Sequence, residues 1–187
     1  LLPGSRNKEI KTLLPVMLET AQELNKQFEG RITFLLLAAQ TIQDKLLAPI
    51  IARYKVPLTV VRNMTYDGIA ASDFCLVCSG TATLETGILG TPMAILYKVN
   101  LLTWAYIRLL IKIPYIGLVN VVKCRKVVEE FIQFDAVPEK ITPYVADLLR
   151  SPEKLASMRQ ELSSIKHMLG EKGASRRAAL AVLEFMD

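Results

Sequence analysis

Two short turns in this sequence carry residues able to hold an anionic ligand. Ser79-Gly80-Thr81-Ala82-Thr83-Leu84-Glu85 follows a short apolar run and opens a stretch of helical spacing. A glycine there lets the backbone approach a ligand closely, and the hydroxyls can cap a helix or bind a phosphate. Glu85 falls within the first turn or so, where a carboxylate can accept hydrogen bonds from a ribose diol while the helix start faces a pyrophosphate. On the residues alone it is equally a solvated acid favoured by the helix dipole. Pro3-Gly4-Ser5-Arg6 is the second turn. The backbone N–H groups of a helix start, with Arg6 beside them, make a natural phosphate site. The same turn also reads as an ordinary helix start capped by Ser5.

Other reactive side chains carry less. Cys75 and Cys78 have CxxC spacing but sit in the apolar run Phe74-Cys-Leu-Val-Cys. Zinc needs four ligands, and only Cys124 and His167 remain as obvious candidates, so these thiols read as buried core residues and no metal site is expected. The pair lies in a strand rather than at a helix start, which also argues against thioredoxin-type chemistry. His167 reads as a surface or capping residue. In Leu101-Leu-Thr-Trp-Ala-Tyr-Ile-Arg-Leu-Leu-Ile-Lys-Ile, Trp104, Arg108 and Lys112 form an i, i+4 stripe on an otherwise apolar segment. That pattern fits a membrane headgroup contact, or a helix buried in the core.

Both turns need strands to precede them and helices to follow. Ile10, Leu13, Leu14, Met17, Leu18, Ala21 and Leu24 share one face of a helix expected over residues 7–28, with Pro15 inside it. Strands are expected at 31–38, 58–61, 74–78, 93–97 and 115–119. Helices are expected at 41–54, 66–72, 82–90, 101–113, 127–134, 138–150, 152–169 and 175–185. Strands alternating with helices imply an α/β fold: a parallel sheet with helices on both faces. In such sheets ligands bind beyond the carboxyl ends of the strands, where both turns would lie. Leu1-Leu2 reads as the end of a strand, so the chain is expected to be part of something longer.

Composition agrees. The chain has 187 residues, 51% of them hydrophobic and 22% charged, enough apolar material for a packed core. Three cysteines argue against a disulfide scaffold. The net charge of +5 favours anionic partners, but the basic residues are scattered and lack interleaved aromatics, which argues against nucleic acid. The most apolar stretch, residues 101–122, is interrupted by Arg108, Lys112, Pro114 and Asn120 and is not expected to span a bilayer. The opening turn does not read as a signal peptide.

The ordered set of motifs is more specific than any one of them. Leu2-Pro-Gly-Ser-Arg with Glu9-Ile10, Ser79-Gly-Thr-Ala-Thr-Leu-Glu, Pro92-Met93, Tyr97-Lys98-Val99, Pro114-Tyr115-Ile116 through Asn120, Glu130, Gln133, and Gly173-Ala-Ser-Arg-Arg-Ala-Ala together resemble the lipid-A-disaccharide synthase family along essentially the whole chain. Val119 and Glu129 depart from the family pattern, standing where Pro, and Pro or Lys, are usual. The resemblance implies a family 19 glycosyltransferase of GT-B architecture, with two Rossmann-like domains. Residues 1–187 would be the C-terminal, nucleotide-sugar-binding domain, and residues 173–187 a helix packing on the N-terminal domain or a neighbouring chain. The implied reaction joins UDP-2,3-diacylglucosamine to 2,3-diacylglucosamine 1-phosphate (lipid X), giving a β-1,6 disaccharide with inversion and no metal or other cofactor.

By the same resemblance, Gly4, Ser5, Arg6, Ser79, Gly80, Thr81 and Thr83 would surround the diphosphate, and Glu85 would hold the ribose. Asn120, Glu130 and Gln133 would face the sugar or uridine side, and Arg6 would stabilise the leaving UDP. It also implies a peripheral protein on the cytoplasmic face of the inner membrane, which would account for Trp104, Arg108 and Lys112 as membrane contacts. The last helix, expected to lean on the other domain or a neighbouring chain, makes a homodimer by C-terminal exchange a further expected partner. The catalytic base would lie in the other half, so the chain alone is expected to be inactive. The donor domain of another GT-B UDP-sugar enzyme, or a non-catalytic nucleotide- or membrane-binding module, are the competing readings.

Overall fold

The computed structural model describes residues 1–100, 104, 114–170 and 173–184. Its centre is a set of short parallel strands: β1 (Phe34–Leu37), β2 (Leu58–Val61), β3 (Cys75–Cys78), β4 (Met93–Tyr97) and β5 (Glu129–Ile132). β1 pairs with β2, and β4 lies between β3 and β5. Leu1 and Leu2 join the two groups. Leu1 N donates to Leu35 O and its carbonyl accepts from Leu37 N, while Leu2 N donates to Leu76 O and its carbonyl accepts from Cys78 N. The resulting order is β2-β1-(Leu1-Leu2)-β3-β4-β5, all parallel, which is the Rossmann arrangement. The chain runs outward from Leu1-Leu2 through β1 to β2, then returns to β3 on the other side. The strand order therefore reverses between Leu2 and β3.

Alternation along the strands divides the core. Leu76, Cys78, Ala94, Leu96 and Phe131 point to one face, against Leu13, Met17 and Ala21 of α1 (Asn7–Gln27) and Ile141 and Val145 of α6 (Pro138–Leu149). Cys75, Val77, Met93 and Ile95 point to the other face. There they meet Ile69 of α3 (Thr65–Ala70), Val119 of α5 (Leu118–Val122), Leu162 of α7 (Pro152–Ser163) and Ile165 of α8 (Ile165–Met168). β3 is buried at all four positions, as expected of a strand covered on both faces. α2 (Asp44–Ile51) packs on α1, and α4 (Thr81–Ile88) packs beside α5 and α8. The last described helix, α9 (Ala174–Glu184), has no buried residue.

Three expectations are corrected. Residues 127–134 form no helix; Glu129–Ile132 is β5, because parallel pairing with β4 and burial of Val128 and Phe131 outweigh the local helical pattern. Residues 115–119 form no strand: the chain turns at Gly117 and enters α5. Ser5 does not cap α1; Arg6 occupies the cap position, and Glu9 reaches back to its amide. Helix α1 runs through Pro15 without a break. The helix expected at 101–113 lies outside the described residues except for Trp104. Among the described residues no helix is long and apolar enough to cross a membrane.

Candidate functional site

A cleft of about 320 Å³ opens at the carboxyl ends of β1, Leu1-Leu2 and β3, where the strand order reverses. Leu2, Leu37 and Cys78 form its floor, and its walls are the turns entering α1 and α4. The topology places it: the two strands flanking the reversal send their following loops in opposite directions, leaving a gap above the sheet.

The turn into α4 is built for close approach. Ser79 N closes the β-ladder on Leu96 O, and Gly80 then takes φ 156° and ψ −163°, a region essentially restricted to glycine. Among the described residues, and apart from its chain neighbours, no heavy atom lies within 4 Å of where a Gly80 Cβ would be. Thr83 N and Thr83 Oγ1 both return to Gly80 O, tightening the first turn. The first amides of the helix, at Thr81 and Ala82, have no acceptor within it and border the cleft. Thr83 itself is fully buried and does not line the cleft; its hydroxyl supports the turn through Gly80 O. Ser79 Oγ donates to Ile116 O at 3.3 Å, tying the turn to the loop before α5. Glu85 lines the same cleft one turn along, and its Oε1 accepts from Tyr66 Oη at 3.2 Å.

The opposite wall differs from expectation. The amides of Ser5 and Arg6, the natural phosphate donors of that turn, both donate to Glu9 Oε2, at 2.9 and 3.1 Å. Glu9 Oε1 pairs with Arg6 Nη1 at 2.7 Å. A carboxylate of the chain's own thus fills the anion seat. Gly4, at φ 108°, makes room for it: a Cβ there would stand 2.3 Å from Glu9 Oε2. What this turn offers a ligand is the rest of the Arg6 guanidinium, whose side chain is 80% exposed. The Glu9 hydrogen bond raises the Arg6 pKa still further, so the group stays charged. Glu9 was legible in the sequence only as part of a motif; its spacing from the Arg6 cap, three residues on, is the signal that identifies it.

Gly4, Ser5, Arg6, Ser79, Gly80, Thr81 and Glu85 therefore line one cleft. Asn120, Glu130 and Gln133 do not. Asn120 is wholly buried; its Oδ1 accepts from Val127 N and Val128 N, and its Nδ2 donates to Val128 O and Glu130 Oε1. Glu130 takes Ile116 N and Gly117 N on its two oxygens, at 2.9 and 3.0 Å. Gln133 is buried and bonds both the N–H and the C=O of Val99. These three side chains hold loops of the chain itself, and none of them lines this cleft. Burial of so many polar backbone groups near β5 requires such partners. Nothing in the sequence ties Tyr66 to Glu85.

Trp104 is half-buried, with its amide on Asn100 O; Arg108 and Lys112 lie outside the described residues. Cys75 and Cys78 face opposite cores, as i, i+3 positions of a strand must, which rules out joint chelation by the pair. Burial pushes the Cys78 thiol up to about 12. Among the described residues no three His, Cys, Asp or Glu side chains converge as a metal-ligand set.

A family model described as lipid-A-disaccharide synthetase matches residues 1–185 of this architecture. The chain belongs to the lipid-A-disaccharide synthase family. The lipid-A-disaccharide synthase of Nitrosococcus oceani is 43% identical over 187 residues, covering the whole chain and 48% of that protein. Those of Syntrophus aciditrophicus and Neisseria meningitidis (serogroup A) are 42% and 41% identical, each over 98% of this chain and 48% of the relative. The chain thus spans about half the length of the curated relatives it matches. Family membership and the Rossmann-like topology agree with what the ordered motifs implied.

Proposed function

We propose that this chain is the donor-binding half of a lipid-A-disaccharide synthase, an inverting GT-B glycosyltransferase. The whole enzyme transfers 2,3-diacylglucosamine from UDP to lipid X. The acceptor hydroxyl oxygen attacks the anomeric carbon, and the bond from that carbon to the diphosphate oxygen breaks with its electron pair going to UDP. The hydroxyl proton passes to a base outside this chain. Arg6 and the first amides of α4 meet the diphosphate and neutralise the charge that grows on it as the bond breaks. Glu85 accepts from the ribose hydroxyls. The chemistry needs no metal, since Arg6 and a helix N-terminus supply the positive potential.

One observation carries this reading: at the strand-order reversal, Arg6, the Gly80–Ala82 helix start and Glu85 converge on one cleft. The net charge of +5 supports an anionic ligand. α9 exposes Leu180, Val182 and Leu183, which supports packing of this helix on the other half of the enzyme or on a second copy. Acylated substrates support association with a membrane surface, which this reading puts on the cytoplasmic side of the inner membrane.

Calorimetric titration of the chain with UDP tests the reading. Wild type binds saturably, Glu85→Ala and Arg6→Ala each bind at least roughly tenfold more weakly, and the chain makes no disaccharide. Unchanged UDP binding in both variants would refute the assignment, and disaccharide formation by the chain alone would refute the division of labour.

A further inference from the structure

Tyr66 stands in the first turn of α3, next to Thr65, which lines the cleft. The residue is 59% exposed, yet its hydroxyl is turned onto Glu85 Oε1 of α4, across two separate helices. An exposed tyrosine gains little by ordering its hydroxyl on a neighbour when water is available. The bond matters for the other partner. Glu85 sits at the cleft wall on a side chain with three rotatable bonds, and an acceptor for a sugar diol must be fixed before the ligand arrives. The nearby Glu85 charge raises the Tyr66 pKa, so the phenol remains a donor throughout the neutral range.

We propose that Tyr66 is a positioning residue for Glu85: its hydroxyl holds Oε1 so that Oε2 is presented to the ribose hydroxyls of a nucleoside diphosphate. The proposal rests on the reading of the cleft as a UDP site. Tyr66 acts through Glu85, and the 2′ and 3′ hydroxyls of the ligand are what report it. A ligand lacking both has nothing to give to Glu85 and does not sense Tyr66.

The test measures binding of UDP and of 2′,3′-dideoxy-UDP to wild type, Tyr66→Phe and Glu85→Ala by calorimetry. The exposed ring leaves the fold indifferent to loss of one oxygen, so Tyr66→Phe melts with wild type. Tyr66→Phe is expected to weaken UDP roughly threefold to tenfold, the size of one hydrogen bond, and to leave the dideoxy ligand unchanged. The preference for UDP over its dideoxy form shrinks accordingly, and Glu85→Ala abolishes it. A preference unchanged by Tyr66→Phe but lost in Glu85→Ala overturns the positioning role and leaves the ribose site standing. Equal weakening of both ligands also overturns it, because Tyr66 would then be a general wall of the site. A preference that survives Glu85→Ala means the reading of Glu85 itself has failed, and the role of Tyr66 with it.

Discussion

Replacing Asn120 by alanine separates a scaffold role from a ligand role. Asn120 is wholly buried and makes four hydrogen bonds: Val127 N at 2.7 Å, Val128 N at 3.0 Å, Val128 O at 2.9 Å and Glu130 Oε1 at 2.8 Å. Alanine removes all four. The Val128 amide is buried and stays unpaired, which costs about 1–3 kcal/mol. Val127 and Glu130 are half-buried, and water recovers part of what they lose. Adding the void left by the amide, the expected loss is about 3–5 kcal/mol, a large share of the ~5–15 kcal/mol that holds a domain together. Urea unfolding followed by far-UV circular dichroism reads this as a lower midpoint at unchanged slope. Asn120→Asp is also destabilising, since it keeps the acceptor but sets a second carboxylate against Glu130, and acidification recovers part of the loss. A cost below about 1 kcal/mol for Asn120→Ala would refute the reasoning, and UDP binding lost at full stability would return Asn120 to the ligand.

Other measurements probe the packing and the buried thiols. Gly87 lies where α4 crosses α5 and α8: an added Cβ would stand 2.8 Å from Val119 Cγ2 and 2.9 Å from Ile165 Cδ1. Gly87→Ala should therefore destabilise by about 1–2 kcal/mol despite its gain in helix propensity, and a rise in melting temperature would contradict the crossing. Cys75 and Cys78 are buried and Cys124 is exposed, so a thiol reagent near pH 8 should modify one thiol quickly and all three only in denaturant. Cys78 is pushed from 9.0, and Tyr144 from 10.0, up to about 12, both chiefly by burial. In alkali the unfolded chain releases these protons first. Their stabilising contribution is complete below about pH 9 and is lost as the pH climbs toward 12. Urea midpoints taken from pH 8 upward should fall across that window, less steeply in Cys78→Ala, and a flat profile would count against the burial of these groups.

Much of the fold was legible because its signals are local. The runs Phe34–Leu37 and Cys75–Cys78 are too short and too continuously apolar for amphipathic helices, and α1 repeats its apolar face from Ile10 to Leu24 without ambiguity. The stretch from residue 114 to residue 134 is less legible, because its determinants lie far apart in the chain. Val127 to Phe134 reads locally as a helix, and Glu129–Ile132 becomes a strand only because Ala94–Tyr97 offers an open ladder edge. The turn at Ile116–Gly117 exists because a carboxylate 13 and 14 residues further on accepts both amides.

The division at the candidate site follows the same physics. Residue types and spacing by themselves determined which two turns face the carboxyl ends of the strands, that Arg6 and Glu85 stand on them, and, through the ordered motifs, the family. Those are properties of short segments and of strand–helix alternation. Only the tertiary structure decided which polar groups are left over for a ligand. Glu9 consumes the amides of Ser5 and Arg6, Thr83 spends its hydroxyl on Gly80, and Asn120, Glu130 and Gln133 bond backbone brought in from elsewhere. A side chain's hydrogen-bonding capacity is written in its chemistry, but whether that capacity is already used depends on every group folded within 3 Å of it, and no local pattern records that.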